Sequence, residues 1–188
     1  PLGETKILRK VKAFTIIFRS CTKINMLTQN KKRLFDKDKC EYTFRSLNSI
    51  ILSIKQAQTI FSDICFNIII VDHDSKKIDL GQMKNQLEKS NLKYSIISLN
   101  VDNFSNNIKK INSKNETVTT NQISNMANIH KSLLLAKKQC EDLIYFVEDD
   151  YLHKEITFKE MILTYERVSS QINRELILCP ADYPFLYT

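Results

Sequence analysis

Two hydrophobic periods take turns along this chain. Val11 to Phe18 (VKAFTIIF) is β-branched and aromatic, the make-up of a first strand. Arg19 to Tyr42 is polar, basic and irregular, and reads as a long loop that is either functional or partly mobile. Leu47, Ile50, Ile51, Ile54, Ala57 and Phe61 then recur at helical spacing, with Ser46 as the expected cap. Cys65 to Val71 (CFNIIIV) is a near-continuous apolar run, as a central parallel strand requires. Asp79 and Gln82 suggest a capping box for a helix through Lys89, and Lys93 to Leu99 a third strand. Asn100 to Thr120 lacks periodicity apart from Ile108 and Ile111. Asn121 to Cys140 is helical, with Ile123, Met126, Ile129, Leu133, Leu134 and Ala136 expected on one face. Leu143 to Val147 is a fourth strand. Thr157 and Glu160 open a helix striped by Phe158, Met161, Ile162, Tyr165 and Val168, and Glu175 to Cys179 is an expected fifth strand.

Strand–helix alternation of this kind predicts an α/β fold: a mostly parallel sheet with helices on both faces. Ligands of such sheets bind at the carboxyl ends of the strands. Three polar clusters fall there: Arg19-Ser20, Asp72 to Ser75, and Glu148-Asp149-Asp150.

The last of these is the sharpest chemical signal. An apolar strand ends in three consecutive carboxylates, which repel one another and raise each other's pKa. Strand alternation predicts Glu148 and Asp150 on one side and Asp149 on the other. Two hard oxygen ligands at a sheet edge suit Mg²⁺ or Mn²⁺ carrying a substrate phosphate. A solvated acidic turn is the plainer alternative, but it does not predict that two other polar clusters share the edge.

Composition narrows the classes. The 188 residues suit one domain, and 43% hydrophobic with 26% charged residues is ordinary for a folded domain. Pro1-Leu2-Gly3 matches a protease-cleavage scar, so residues 1–10 are read as a tag remnant and lead, and 11–188 as one domain. The net charge of +7 favours an anionic partner, but the lysines are dispersed and no aromatic-interleaved basic motif for nucleic acid occurs. With two glycines in the whole chain, Gly3 and Gly81, a P-loop and a dinucleotide fingerprint are excluded. Five widely spaced cysteines without Cys-x-x-Cys read as reduced thiols of a cytoplasmic protein, with Cys65 and Cys179 expected in the core. No apolar run approaches the roughly 20 residues that span a bilayer. The basic surface leaves room for peripheral contact with an anionic membrane at its inner face.

In order and spacing the chain resembles the nucleotide-sugar glycosyltransferases of the GT-A fold, family 2 in particular. The resemblance rests on Phe14-Thr15-Ile16-Ile17-Phe18-Arg19-Ser20; on Ser46-Leu47-Asn48-Ser49-Ile50; on Val71-Asp72-His73-Asp74-Ser75 with Asp79; and on Asn128 followed by the Asp-x-Asp-like Glu148-Asp149-Asp150. It covers residues 11 to 182. It implies transfer of a sugar, as a hexosyltransferase does, from a UDP- or GDP-sugar to a lipid, glycan or protein acceptor. Arg19, Asp72, His73, Asp74 and Asp149 would contact the nucleotide, with Lys131 a further positive contact. Glu148 and Asp150 would ligate Mn²⁺ or Mg²⁺. His73 stands where the family usually carries an acid or amide. The family also continues further with acceptor-binding segments, which suits either a C-terminal truncation or a minimal domain that borrows its acceptor site from another chain. Asp182 is the one candidate catalytic base at the right edge.

Two rival readings stand. Asp72 and Asp74 mimic the nucleophile and acid/base pair of a Mg²⁺-dependent haloacid-dehalogenase phosphatase, with Asp149-Asp150 as its later metal acids. A full strand, loop and helix precede them here, whereas that nucleophile strand normally opens its domain. A non-catalytic nucleotide-binding module is the other reading.

Overall fold

The computed structural model describes residues 6–23, 37–104, 106–108, 110–111 and 115–180. Four strands form one parallel sheet: β1 (Ala13–Ser20), β2 (Cys65–Asp72), β3 (Lys93–Ser98) and β4 (Leu143–Glu148). They lie in the order β3-β2-β1-β4. Helices α1 (Lys39–Gln58), α2 (Lys77–Ser90) and α4 (Thr157–Ile172) cover one face, and α3 (Thr120–Gln139) with a short 3-10 turn at Val101–Phe104 covers the other. The expected fold class is therefore the observed one.

Alternation along β1 assigns the faces. Phe14, Ile16 and Phe18 point into the larger core with Leu47, Ile50 and Ile54 of α1 and Phe158 and Ile162 of α4. Ile17 points the other way, to Ala127, Leu135 and Ala136 of α3. Both central strands are covered on both faces, which is why they read as unbroken apolar runs.

Several expectations are corrected. The helix expected from Ser46 begins at Lys39; Ser46 is buried in it and donates to the Tyr151 carbonyl at 2.6 Å. The boxes expected at Asp79 and Thr157 do not form: Lys76 and Ile156 flank those helices without a side-chain cap. The box that does form is at α3, where Thr119 and Gln122 cap each other. On α3 the stripe is turned. Ser124, Ala127, Asn128, Ser132 and Leu135 face the sheet, while Ile129, Leu133 and Leu134 are exposed. Small residues let the helix approach the sheet closely, and that outweighs the larger apolar area.

The fifth strand is absent among the described residues. Leu176 and Leu178 pack against the core while Ile177 is exposed, so the alternation does mark extended backbone. That backbone does not pair with β4, and an open cavity of about 1190 Å³ lies between them. Glu175 holds the segment instead, accepting from Arg9 (Nε, 2.9 Å) and from the Tyr165 hydroxyl. Cys65 and Cys179, expected in the core, are exposed at the start of β2 and on this unpaired segment.

Candidate functional site

The chain builds β1, β2 and β3 outward in one direction, then returns to place β4 on the other side of β1. The carboxyl ends of β1 and β4 therefore flank the topological switch point, where open α/β sheets bind ligands. Register sets what meets there. Arg19 lies opposite both Val71 and Glu148, and Ser20 opposite Asp72.

A cavity of about 300 Å³ opens at this point. It is lined by Arg19, Ser20 and Cys21 from β1 and its exit, Lys39 from α1, His73 after β2, and Glu148, Asp149 and Asp150 at the end of β4. Asn121, Gln122, Ser124, Asn125 and Asn128 of α3 complete the wall.

Arg19 points to the α3 side of the sheet. Its guanidinium bonds Glu148 on the neighbouring strand and Asn125 Oδ1 at 3.0 Å. Asp149 points to the α1 side, where it is buried. It accepts from the Cys21 amide (3.2 Å), the Thr43 hydroxyl (2.9 Å) and the Lys39 ammonium (2.5 Å). Burial pushes the Asp149 carboxyl above its usual range, and Lys39 opposes that push.

Glu148 and Asp149 thus diverge as strand alternation requires. Asp150 does not rejoin Glu148. The strand ends at Glu148, the next two residues turn, and Asp150 Oδ2 comes to 3.7 Å from Lys39. Glu148 and Asp150, the expected metal pair, both line the cavity, Glu148 paired with Arg19 and Asp150 sharing Lys39 with Asp149.

The other expected residues divide. His73 lines the cavity; its amide donates to the Ser20 carbonyl at 2.9 Å, and its buried Nδ1 has no partner among the described residues. Asp72 is buried and turned inward, accepting from the Ser20 hydroxyl (2.7 Å) and the Ser75 amide (3.2 Å). It shapes the turn after β2 and does not line the cavity. Asp74 takes a positive φ of 55° and is exposed beside Lys23, 2.6 Å away, which lowers its pKa. A nucleophile and acid/base pair needs both carboxylates aimed at one phosphate. Asp72 and Asp74 do not share a pocket, so the phosphatase reading gains no support. Lys131 lies further along α3 and outside the cavity wall. Asp182 falls outside the described residues.

Of the polar face of α3 the sequence motifs mark only Asn128, and Lys39 falls in what reads as loop. The α3 residues did carry a signal, since Asn121, Ser124, Asn125 and Asn128 recur at i, i+3, i+4 and i+7 and so share a helix face.

The donor set admits a shared ion and not a caged one. Among the described residues no three His, Cys, Asp or Glu side chains converge on a point. Mg²⁺, however, is commonly held by one or two carboxylates together with substrate phosphates. Asp149 and Asp150 are two neighbouring carboxylates that share Lys39. No helix among the described residues is long and apolar enough to cross a membrane. Comparison with known protein families gives no match, and comparison with curated proteins gives none either.

Proposed function

We propose that this chain binds a nucleoside-diphosphate sugar at the sheet's switch point and transfers the sugar to an acceptor. One observation carries the reading. Arg19, His73, the acidic turn and the amide-rich face of α3 converge from four separate segments on one small cavity. Asparagines and glutamine offer paired donors and acceptors for a base and ribose. Arg19 offers a planar fork for phosphate oxygens.

Asp149 and Asp150 would hold a divalent ion, Mn²⁺ or Mg²⁺, which supplies charge neutralisation to a departing diphosphate. The protein's own part is orientation. Glu148 and Asn125 fix the Arg19 guanidinium, and Thr43 and the Cys21 amide fix Asp149 before any ligand arrives. A binding module without transfer is the second reading. It is favoured by the engagement of each of the three carboxylates lining the cavity with an internal cation, which leaves none as a ready base.

Calorimetry with UDP, GDP, ADP and CDP, with Mn²⁺ and with a chelator, tests the proposal. Binding of one nucleotide that Arg19→Ala and Asp150→Ala weaken at least tenfold is expected. No binding of any of them to the folded protein would falsify it. Binding without turnover of the matching nucleotide-sugar selects the module reading.

A further inference from the structure

Lys39 opens α1, and its ammonium reaches the acidic turn after β4. Nζ is 2.5 Å from Asp149 Oδ1 and 3.7 Å from Asp150 Oδ2, and its side chain is only 14% exposed. The two carboxylates a divalent ion would need already share a monovalent cation. Two cations, Arg19 and Lys39, face three carboxylates in this cavity, so one unit of negative charge is left over. His73 gives an independent sign that the cavity takes a ligand. It lines the wall, as does Ser124 at 5% exposure, and its buried Nδ1 makes no hydrogen bond among the described residues.

We propose that Lys39 is a built-in counter-ion that a divalent cation displaces from Asp149 and Asp150, freeing its ammonium for the diphosphate. This rests on the nucleotide-sugar reading for its last step only. An ammonium and a divalent ion cannot both sit against the same carboxylate oxygens, because like charges at such range repel strongly. The exchange is open to Lys39, whose four-carbon stem lets the charge move while the backbone stays in α1. Asp149 stays aimed when Lys39 leaves, because the Thr43 hydroxyl and Cys21 amide still hold it. A divalent ion added to this set turns the surplus charge positive, which suits an incoming diphosphate.

The inference predicts the opposite of what removing a merely structural lysine would do. Mn²⁺ alone is titrated calorimetrically into the wild-type chain, Lys39→Met, Lys39→Arg and the double variant Lys39→Met/Asp150→Asn, with circular dichroism to confirm folding. Lys39→Met should bind Mn²⁺ on the order of tenfold tighter than wild type. Lys39→Arg should stay as weak as wild type, and Asp150→Asn should erase the gain. Unchanged or weaker Mn²⁺ binding by folded Lys39→Met overturns the inference. A measurement on the wild type covers a variant that does not fold. Amine labelling of Lys39, read by mass spectrometry, should rise when Mn²⁺ is added, and labelling that stays level or falls also overturns it. The two proposals fail separately. A gain in Mn²⁺ affinity without nucleotide binding sinks the transferase reading and leaves the Lys39 exchange; nucleotide binding with no such gain does the reverse.

Discussion

Asn128 donates its side-chain amide to the Val71 carbonyl oxygen, 3.1 Å away, and so ties the middle of α3 to the last residues of β2. Its Oδ1 accepts from the Ser132 hydroxyl at 3.3 Å. The amide is buried among the small residues that let α3 approach the sheet, and it sets where the polar face of that helix meets the cavity. Asn128→Leu keeps the size and removes both bonds, leaving the Ser132 hydroxyl unpaired. The expected loss is about 1–3 kcal/mol, read as a lower midpoint in urea. An unchanged midpoint would show that the tie contributes nothing.

Thr43 is completely buried and places its hydroxyl 2.9 Å from Asp149 Oδ2. Valine has the same shape without the donor. Hydrogen bonds to charged groups contribute about 1.5–3 kcal/mol, so Thr43→Val should cost that much in chemical denaturation. It should also weaken nucleotide binding, because Asp149 loses one of the bonds that aim it. A full-strength bond to nucleotide in this variant would separate Asp149's orientation from the site.

His153 lies between two elements, with Nε2 2.9 Å from the Tyr145 hydroxyl and its amide donating to Ser49 Oγ at 3.0 Å. Burial lowers its pKa below the usual value near 6.5. The unfolded chain therefore takes up a proton at this residue before the folded one does. Stability contributed by neutral His153 is fully present above about pH 6.5 and is lost as pH falls toward the lowered folded value. Urea midpoints between pH 7.5 and 5 should decline in wild type and less steeply in His153→Gln. Equal slopes would place the acid sensitivity elsewhere.

Phe158 anchors α4 with no exposed surface. Its ring meets Phe14 edge-on at 5.3 Å and 85°, and Tyr145 at 5.5 Å and 74°. Truncation to alanine removes a large buried ring and its contacts with Phe14, Tyr145 and His153 at once. A loss of about 3–5 kcal/mol is expected, seen as a fall in thermal midpoint. A loss under 1 kcal/mol would mean that α4 repacks freely against β1.

Much of this architecture was legible because parallel strands buried on both faces leave little choice of residue. Phe14 to Phe18 and Phe66 to Val71 could scarcely be anything else, whereas Leu143 to Val147, an edge strand with Phe146 exposed, is marked by its β-rich make-up alone. The first turns of α1 were not legible. Lys39 to Phe44 carries Cys40, Tyr42 and Phe44 at a spacing of two rather than a helical one, while Thr43 is buried to reach a carboxylate and Lys39 to reach two. Polar residues placed for each other have no hydrophobic period to betray them. At the acidic turn, alternation alone does not tell that the strand stops at Glu148 and that Asp150 shares Lys39 with Asp149. The Glu175–Pro180 segment shows the same limit from another side, for a period of two reports extended backbone and is silent about its pairing.

The placement of β1 has a consequence for how the chain assembles. Ile16 has Ile68 beside it on one side and Tyr145 on the other. During synthesis the first strand made gains one neighbour early and waits for the other until most of the chain has emerged. Through that interval an edge of apolar, β-branched residues stands open, a template for the wrong chain as much as for β4. Sequence-distant pairing also slows the final closure. The arrival of β4 then closes that edge, and the same step first brings Glu148 and Asp149 to Arg19 and Lys39.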